Sequence, residues 1–296
     1  MEKPVIGFLG LGKMGLPMSL NLVRGGYEVH GYDVAQHAVE AFARERGRAC
    51  ASVDEVVRAA DVLCASLPGP AEVTEVFSGV VAQEGRSGQL VIDFSTVSPQ
   101  VNHRVAETLA TRGIDYLGAP VSGGVERAVD GSLTVMVGGP KAAFERAKPM
   151  LDLIGQNVFH ISEDVGAGSV VKLVNNYFIG YYTLAVAEAL TLAGEMGMDL
   201  EQLFSILNVS YGQSRIYERN WKLFISKDFY EPGFTTRLLI KDLHLAKDMA
   251  AAKGLELPMT DVLIGMYEKA AERGYADLDM AAMYRYIQDI KNDERA

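Results

Sequence analysis

The apolar residues follow two different patterns in the two halves of the chain. In the first half, short apolar runs alternate with helical or loop stretches of roughly twenty residues or more, as βαβ units require. The runs are continuous rather than alternating, which is typical of parallel strands buried on both faces. Strands are predicted at 5–9, 28–32, 62–67, 90–94, 114–117, 133–137 and 157–161.

After about residue 162 the strand pattern stops and helical periodicity takes over. Helices are predicted at 168–196, 200–208, 214–226, 235–253, 260–273 and 280–291, with Gly and Pro residues between them. The turn at 163–166 is the predicted boundary. The sequence thus predicts an α/β Rossmann domain with a doubly wound, mostly parallel sheet at 1–162, followed by an all-helical domain at 163–296.

Composition and charge narrow the possible partners. The 296 residues carry a formal net charge of -10, which disfavours nucleic acid and anionic membranes as partners. A small anionic substrate needs only a local positive site. Cys50 and Cys64 stand in apolar surroundings and are predicted to be reduced packing residues. With no spanning apolar stretch and no secretory signal, a cytoplasmic enzyme is expected.

A glycine-rich turn follows the first predicted strand. Gly10, Gly12 and Gly15 fit G-x-G-x-x-G and open a helical run, the context in which this motif binds a dinucleotide. The first glycine would allow the tight turn, the second would let a pyrophosphate approach, and the third would let the helix pack on the strand. Asp33, after the second strand, would bind the ribose hydroxyls and repel a 2′-phosphate, although it could instead cap the next helix. NAD is therefore predicted over NADP.

Further candidate residues follow later strands. Leu67-Pro68 and Ser95-Thr96 come just after two strands, where open α/β sheets bind ligands. Ser122-Gly123-Gly124 could present backbone amides and a hydroxyl to a carboxylate, or could be an ordinary turn.

A lysine near the start of the first long helix is the candidate catalyst. Lys172 stands in an apolar setting with Asn176 four residues on, so both project from one helix face. Burial and a nearby positive nicotinamide ring would lower the pKa of this lysine, as proton transfer requires, although a surface lysine could also lie here. The histidines show no metal-ligand spacing, and no metal is predicted; they are His30, His37, His103, His160 and His244.

Taken in order, seven segments resemble the β-hydroxyacid dehydrogenase family, which includes 3-hydroxyisobutyrate dehydrogenase and tartronate semialdehyde reductase. They are GLGKMGLPMSLNL (10–22), ASLP (65–68), DFSTVSP (93–99), APVSGG (119–124), GSLTVMVGG (131–139), GAGSVVKLVNN (166–176) and KDLHLA (241–246).

The resemblance implies hydride transfer between NAD(H) and a small β-hydroxy acid or semialdehyde, in a cleft between the two domains. It implies Lys172 as general acid/base, assisted by Asn176. The implied substrate contacts are Ser122, Gly123, Gly124 and Thr96. The implied cofactor contacts are Gly10, Leu11, Gly12, Met14, Gly15, Asp33, Leu67, Pro68, Thr96, Phe234 and Lys241.

Two positions depart from the family pattern. Gly118 stands where the family usually has aspartate, and Arg127 stands where it often has glycine. Arg127 could favour an acid with a second carboxylate, phosphate or sulfonate, or it could simply face solvent. Arg215 could likewise bind a distal acidic group or pair with Glu218 on its own helix.

Two alternatives stay open at this point. One is an NADPH-preferring glyoxylate or succinic semialdehyde reductase of the same architecture. The other is a non-catalytic nicotinamide-binding protein, disfavoured because Lys172 and the Ser-Gly-Gly turn are both intact. A homodimer or homotetramer through the helical half is expected.

Overall fold

The computed structural model describes residues 3–293, and the chain divides into two compact units. The first unit ends at Lys172 and the second begins at Leu173. The predicted domain boundary after residue 162 stays a prediction.

The first unit is built on one sheet. Its strands are β1 (Ile6–Leu9), β2 (Val29–Tyr32), β3 (Arg48–Ala49), β4 (Val62–Ala65), β5 (Leu90–Asp93), β6 (Asp115–Gly118), β7 (Val121–Ser122), β8 (Leu133–Gly138) and β9 (Gly155–Ser162). Among the described residues these nine strands run in the order β3-β2-β1-β4-β5-β6-β8-β7, with β9 also paired to β8. All pairs from β3 to β6 are parallel, β8 is antiparallel to β6 and β7, and β9 is parallel to β8.

Helices cover both faces of this sheet. They are α1 (Gly15–Arg24), α2 (Gln36–Arg44), α3 (Val53–Ala59), α4 (Pro70–Val73), α5 (Ala82–Glu84), α6 (Pro99–Ala110), α7 (Gly124–Asp130) and α8 (Lys141–Ile154), with a π-helical segment at Thr74–Val81. Side chains of α1, α2, α7 and α8 share one apolar core with alternate strand residues such as Phe8 and Ile92. Residues of α3, α6 and the π-helical segment form the other core, with Leu63 and Val91. The sheet is thus doubly wound, as predicted.

The second unit is helical and has its own core. Helix α9 (Ala167–Glu195) begins in the first unit and is followed by α10 (Leu200–Leu207), α11 (Arg215–Leu223), α12 (Thr236–Ala251), α13 (Thr260–Ala270) and α14 (Met283–Asp293). Its core is rich in aromatic side chains, including Tyr217, Trp221 and Tyr267. Of the helices described between residues 3 and 293, none has both the length and the apolar character needed to cross a membrane.

The predicted fold class is confirmed, and the differences are local. The two-residue strands Arg48–Ala49 and Val121–Ser122 were not predicted, because so short a segment gives no apolar run. The helix predicted at 214–226 ends at Leu223, since Phe224 leaves the helical region and a 3₁₀ turn follows at Ile225–Lys227. Both cysteines are buried and form no disulfide.

Candidate active site

The strand register brings the sequence-predicted turns to one edge of the sheet. In neighbouring strands, Tyr32, Leu9, Ala65, Asp93 and Gly118 are paired in succession. Because these strands are parallel, the residues that follow each of them leave the sheet at the same carboxyl edge. Ligands of open α/β sheets bind at this edge.

The glycine-rich turn at this edge is packed closely at two of its three glycines. A Cβ at Gly10 would lie 2.3 Å from the carbonyl oxygen of Ser66, and one at Gly15 would lie 1.8 Å from that of Gly10. Helix α1 can therefore approach β1 only because Gly15 has no side chain. These two glycines satisfy the protein's own packing.

Gly12 differs from both of its neighbours in the motif. A Cβ added there would have no protein atom within 4 Å, and the residue is exposed. Next to it begins α1, whose first turn has no acidic residue. Open space beside the amides of a helix N-terminus fits a dinucleotide pyrophosphate. Gly12 thus leaves open space on the protein surface near the start of α1.

Asp33 is tied to the glycine-rich turn. Its Oδ2 accepts a hydrogen bond from the amide of Leu11 at 2.6 Å, and its Oδ1 accepts one from the amide of Ala35 at 2.8 Å. Each oxygen keeps a second lone pair for a ribose hydroxyl. The side chain of Leu11 itself is buried in the core, so only its backbone is available at the turn.

A buried serine connects the turns after β4 and β5. Ser95 Oγ accepts a hydrogen bond from the amide of Leu67 at 2.9 Å, while its own amide donates to Asp93 Oδ1 at 2.9 Å. Pro68 is exposed and Thr96 is half-buried beside this contact. The two turns therefore form one surface at the carboxyl edge.

The Ser122-Gly123-Gly124 turn follows β7. Gly123 and Gly124 have φ of 138° and 76°, positive values that glycine adopts without strain. A Cβ at Gly123 would lie 2.7 Å from Cδ of Arg127, so the stem of this exposed arginine lies against the turn. The geometry suits an anion, with a guanidinium close by.

The start of α9 rests directly on the sheet. A Cβ at Gly168 would lie 2.0 Å from the carbonyl oxygen of Met136 and 2.8 Å from that of Gly118. One turn further along α9, Lys172 is 8% exposed. Lysine side chains are rarely this buried in folded proteins. Lys172 is thus buried one helical turn after the residue that packs on the end of β6.

The structure also explains the departure at Gly118. A Cβ there would lie 2.4 Å from the carbonyl oxygen of Val165 and 3.1 Å from Nδ2 of Asn102. The backbone leading into α9 passes where a side chain would stand. In this chain position 118 therefore has no room for aspartate.

In the second unit, Asn176 is held by a residue that the sequence did not single out. Asn176 Nδ2 donates to Asp242 Oδ2 at 2.5 Å, and both side chains are buried. Lys241 Nζ lies 2.8 Å from Asp242 Oδ1. The spacing of Asp242 from the apolar residues Leu239 and Leu243 would have placed it on the buried face.

Phe234 lies in a segment organised by Asp279. This fully buried carboxylate accepts hydrogen bonds from the amides of Gly233 and Phe234, at 3.2 and 2.9 Å. Arg219 binds it through two bonds of 2.7 Å. The backbone around Phe234 is therefore fixed within the second unit. Arg215 opens α11.

Comparison with known proteins defines the class. Residues 5–162 match the model of the NAD binding domain of 6-phosphogluconate dehydrogenase. Residues 166–287 match a model described as NAD-binding of NADP-dependent 3-hydroxyisobutyrate dehydrogenase. The chain thus has the two-part organisation of nicotinamide-dependent dehydrogenases.

Individual relatives match over nearly the whole chain. A 2-(hydroxymethyl)glutarate dehydrogenase of Eubacterium barkeri is 37% identical over 98% of this chain and 97% of its own. An NAD-dependent L-serine dehydrogenase of Pseudomonas aeruginosa is 33% identical, covering 95% and 96%. The structure of a Mycobacterium tuberculosis 3-hydroxyisobutyrate dehydrogenase with L-serine superimposes with a TM-score of 0.87 at 35% identity, covering 97% of this chain and 99% of that one.

The chain belongs to the β-hydroxyacid dehydrogenase family. This confirms the resemblance predicted from the sequence and, with it, an oxidoreductase that uses a nicotinamide cofactor.

Proposed function

We propose that this protein oxidises a small β-hydroxy acid with NAD, and reduces the matching semialdehyde with NADH, using Lys172 as general acid/base. The observation that carries the proposal is the burial of Lys172 at the start of α9. This lysine lies in the same unit as the glycine-rich turn, one helical turn after the residue that packs on the end of β6.

Each of the chain's own groups has a defined task in this proposal. The amides and hydroxyl of Ser122, Gly123 and Gly124 bind the substrate carboxylate, which fixes the carbinol carbon. Neutral Lys172 takes the hydroxyl proton, and in the reverse direction its ammonium returns that proton. Asn176, one turn further on α9 and held by Asp242, bonds the same hydroxyl oxygen. The bound nicotinamide supplies the hydride acceptor.

NAD is proposed over NADP because of Asp33. Its carboxylate lies beside the glycine-rich turn, where it would contact the ribose of a dinucleotide bound there. The neighbouring Val34 is 92% exposed and offers no positive charge. A 2′-phosphate would meet a negative charge with no compensating guanidinium. The name of the Pseudomonas aeruginosa relative, an NAD-dependent enzyme, agrees with this choice.

Arg127 supports a substrate with a second acidic group. Its stem lies against Gly123, so its guanidinium can reach an anion beyond the bound carboxylate. The Eubacterium barkeri relative carries a dicarboxylate in its name. We therefore place hydroxy acids bearing two acidic groups first among the substrates to test, ahead of 3-hydroxyisobutyrate, glycerate and serine.

Exposed apolar side chains of the second unit support self-association. Phe178, Tyr182, Leu192 and Met196 of the α9 region are between 45% and 74% exposed. Apolar side chains this exposed on one helix are typical of an interface. A homodimer or homotetramer through these residues is proposed, with sedimentation velocity as the test.

The reaction is tested by absorbance at 340 nm. Purified protein is assayed with NAD or NADP and a panel of hydroxy acids, and with NADH or NADPH and semialdehydes. Lys172→Ala is expected to abolish turnover while NADH binding, followed by fluorescence, is retained. Lys148→Ala is the matched control, because Lys148 is exposed and pairs with Asp152 on its own helix.

Two outcomes would contradict the proposal. Full turnover by Lys172→Ala would remove this lysine from the chemistry. Binding of NADH without turnover on any acid of the panel would favour the non-catalytic alternative.

A further inference from the structure

One face of α6 contacts the segment that leads into α9. Pro99, Asn102 and His103 are spaced i, i+3 and i+4 along α6 and so share a face. His103 Nε2 lies 2.6 Å from Asp164 Oδ1, and a Cβ at Gly166 would lie 2.8 Å from Cβ of Pro99. Asn102 Nδ2 donates to Ser169 Oγ at 2.7 Å. Helix α6 therefore holds the first turn of α9 at several points.

Asn102 also continues a chain of buried polar groups. The hydroxyl of Tyr116 lies 2.9 Å from Asn102 Oδ1 and 3.0 Å from Asp93 Oδ2. The four side chains Asp93, Tyr116, Asn102 and Ser169 are each at most 2% exposed. Burial, together with the charge of Asp93, raises the pKa of Tyr116 well above its usual range, so the hydroxyl stays neutral and able to donate. Buried polar groups need hydrogen-bond partners, whereas apolar side chains could fill the same space without any.

The two ends of the chain of polar groups lie at the proposed reaction site. Asp93 ends β5 and fixes the amide of Ser95, the residue before Thr96. Ser169 lies three residues before Lys172 on α9. Backbone contacts at Gly168 set the distance of α9 from the sheet and the side of the helix that faces the sheet. The hydrogen bond from Asn102 to Ser169 adds a directional contact next to Gly168 that limits the remaining rotation about the helix axis, and that rotation decides where Lys172 points.

We propose that Asn102 is a positioning residue, which orients Lys172 by fixing the rotation of the first turn of α9 through Ser169. The proposal rests on the proposed function, in which Lys172 transfers the proton. A small misplacement of such a group lowers the rate strongly, because the reaction needs a defined attack geometry.

The test uses the full-length enzyme with Asn102→Leu, Ser169→Ala and the double substitution. Each variant is expected to lower kcat on the order of 10- to 100-fold while the KM for NAD changes by less than about threefold. The double variant is expected to lose no more than Asn102→Leu alone, because both substitutions break the same contact. Ser169→Ala removes only a hydroxyl and serves as the milder change if Asn102→Leu does not fold.

Gln89→Leu is the matched control. Gln89 is also a buried amide of the first unit, 2% exposed, and it donates to the carbonyls of Val57 and Ala60 rather than to α9. The Gln89→Leu substitution should lower the melting temperature and leave kcat near the wild-type value. Amide hydrogen exchange over residues 166–175 should be faster in Asn102→Leu and unchanged in Gln89→Leu.

The possible results are distinguishable. Wild-type kcat in folded Asn102→Leu, additive losses in the double variant, or equal kcat losses in Asn102→Leu and Gln89→Leu would each overturn the positioning role. If the wild-type enzyme turns over no hydroxy acid, the proposed function fails instead. The exchange comparison then still decides whether Asn102 holds α9.

Discussion

The two units hold their candidate site residues by different means. In the first unit, Lys172 stands on a helix that packs at Gly168 against the strand backbones of Met136 and Gly118, and that is linked to Asn102 by a fully buried neutral hydrogen bond. In the second unit, Asn176 depends on the carboxylate of Asp242, which also pairs with the partly exposed Lys241. Close backbone packing tolerates little change in side-chain size, whereas the contacts of the Asp242 carboxylate are sensitive to a change in charge.

The largest effect is expected from packing in the first unit. Gly15→Ala places a methyl group 1.8 Å from the carbonyl oxygen of Gly10 and should lower the free energy of unfolding by about 3 kcal/mol. Gly12→Ala is its matched control, because no protein atom lies within 4 Å of the added carbon. The control should keep its stability and bind NADH about tenfold more weakly. Thermal unfolding and fluorescence titration measure the two effects. Equal stability losses at both positions would contradict this.

A charge change tests the second unit. Asp242→Ala leaves Asn176 without its acceptor and should lower kcat on the order of tenfold and the free energy of unfolding by about 2 kcal/mol. Asp248→Ala removes an exposed carboxylate from the same helix and should change neither. Steady-state kinetics and urea unfolding provide the measurements. If Asp242→Ala keeps its full kcat, the link from Asp242 to Asn176 is not needed for the reaction.

A smaller effect concerns the cofactor. Asp33→Asn removes the negative charge beside the ribose and should raise the ratio of kcat/KM for NADP over NAD by about tenfold. Glu40→Gln removes one charge from the exposed surface of the following helix and should leave the ratio unchanged. An unaltered ratio in Asp33→Asn would show that Asp33 only supports the turn through Leu11 and Ala35.

The smallest effect is expected from the cysteines. Burial, with a smaller contribution from Glu55, raises the pKa of Cys50 to about 11, and burial alone raises the pKa of Cys64. Since a raised pKa keeps a thiol protonated below that pH, only about 0.1% of Cys50 is thiolate at pH 8. Ellman's reagent should react rapidly with neither cysteine in the native protein and with both cysteines after denaturation. Rapid labelling of the native enzyme would contradict the burial.

A structural feature of this molecule can be predicted from the sequence when adjacent residues determine it. The glycine-rich turn, Asp33 and the strand ends are read from adjacent residues, because apolar runs and glycines set the backbone locally. Lys172 was found because a charge interrupts an apolar helix face. The edge strand Arg48–Ala49 was missed because it is short and exposed.

Contacts between distant positions could not be predicted in the same way. Asn102 and Ser169 are 67 residues apart, and a polar residue on an amphipathic helix normally reads as solvent-facing. The spacing of Asn102 from Val105 and Leu109 places it on the buried face of its helix, but nothing local identifies Ser169 as its partner. The absence of space at Gly118 likewise results from the carbonyl of Val165, far along the chain.

The open surroundings of Gly12 bear on how copies of such a gene can diverge. Every glycine codon becomes an alanine codon by one nucleotide change. At Gly12 the added methyl group meets no protein atom within 4 Å, so a duplicate carrying it would still fold while binding the cofactor more weakly. The same mutation at Gly15 would lower the stability of the folded product by about 3 kcal/mol. Weakened cofactor binding and a destabilised fold are thus separated by three positions in one turn.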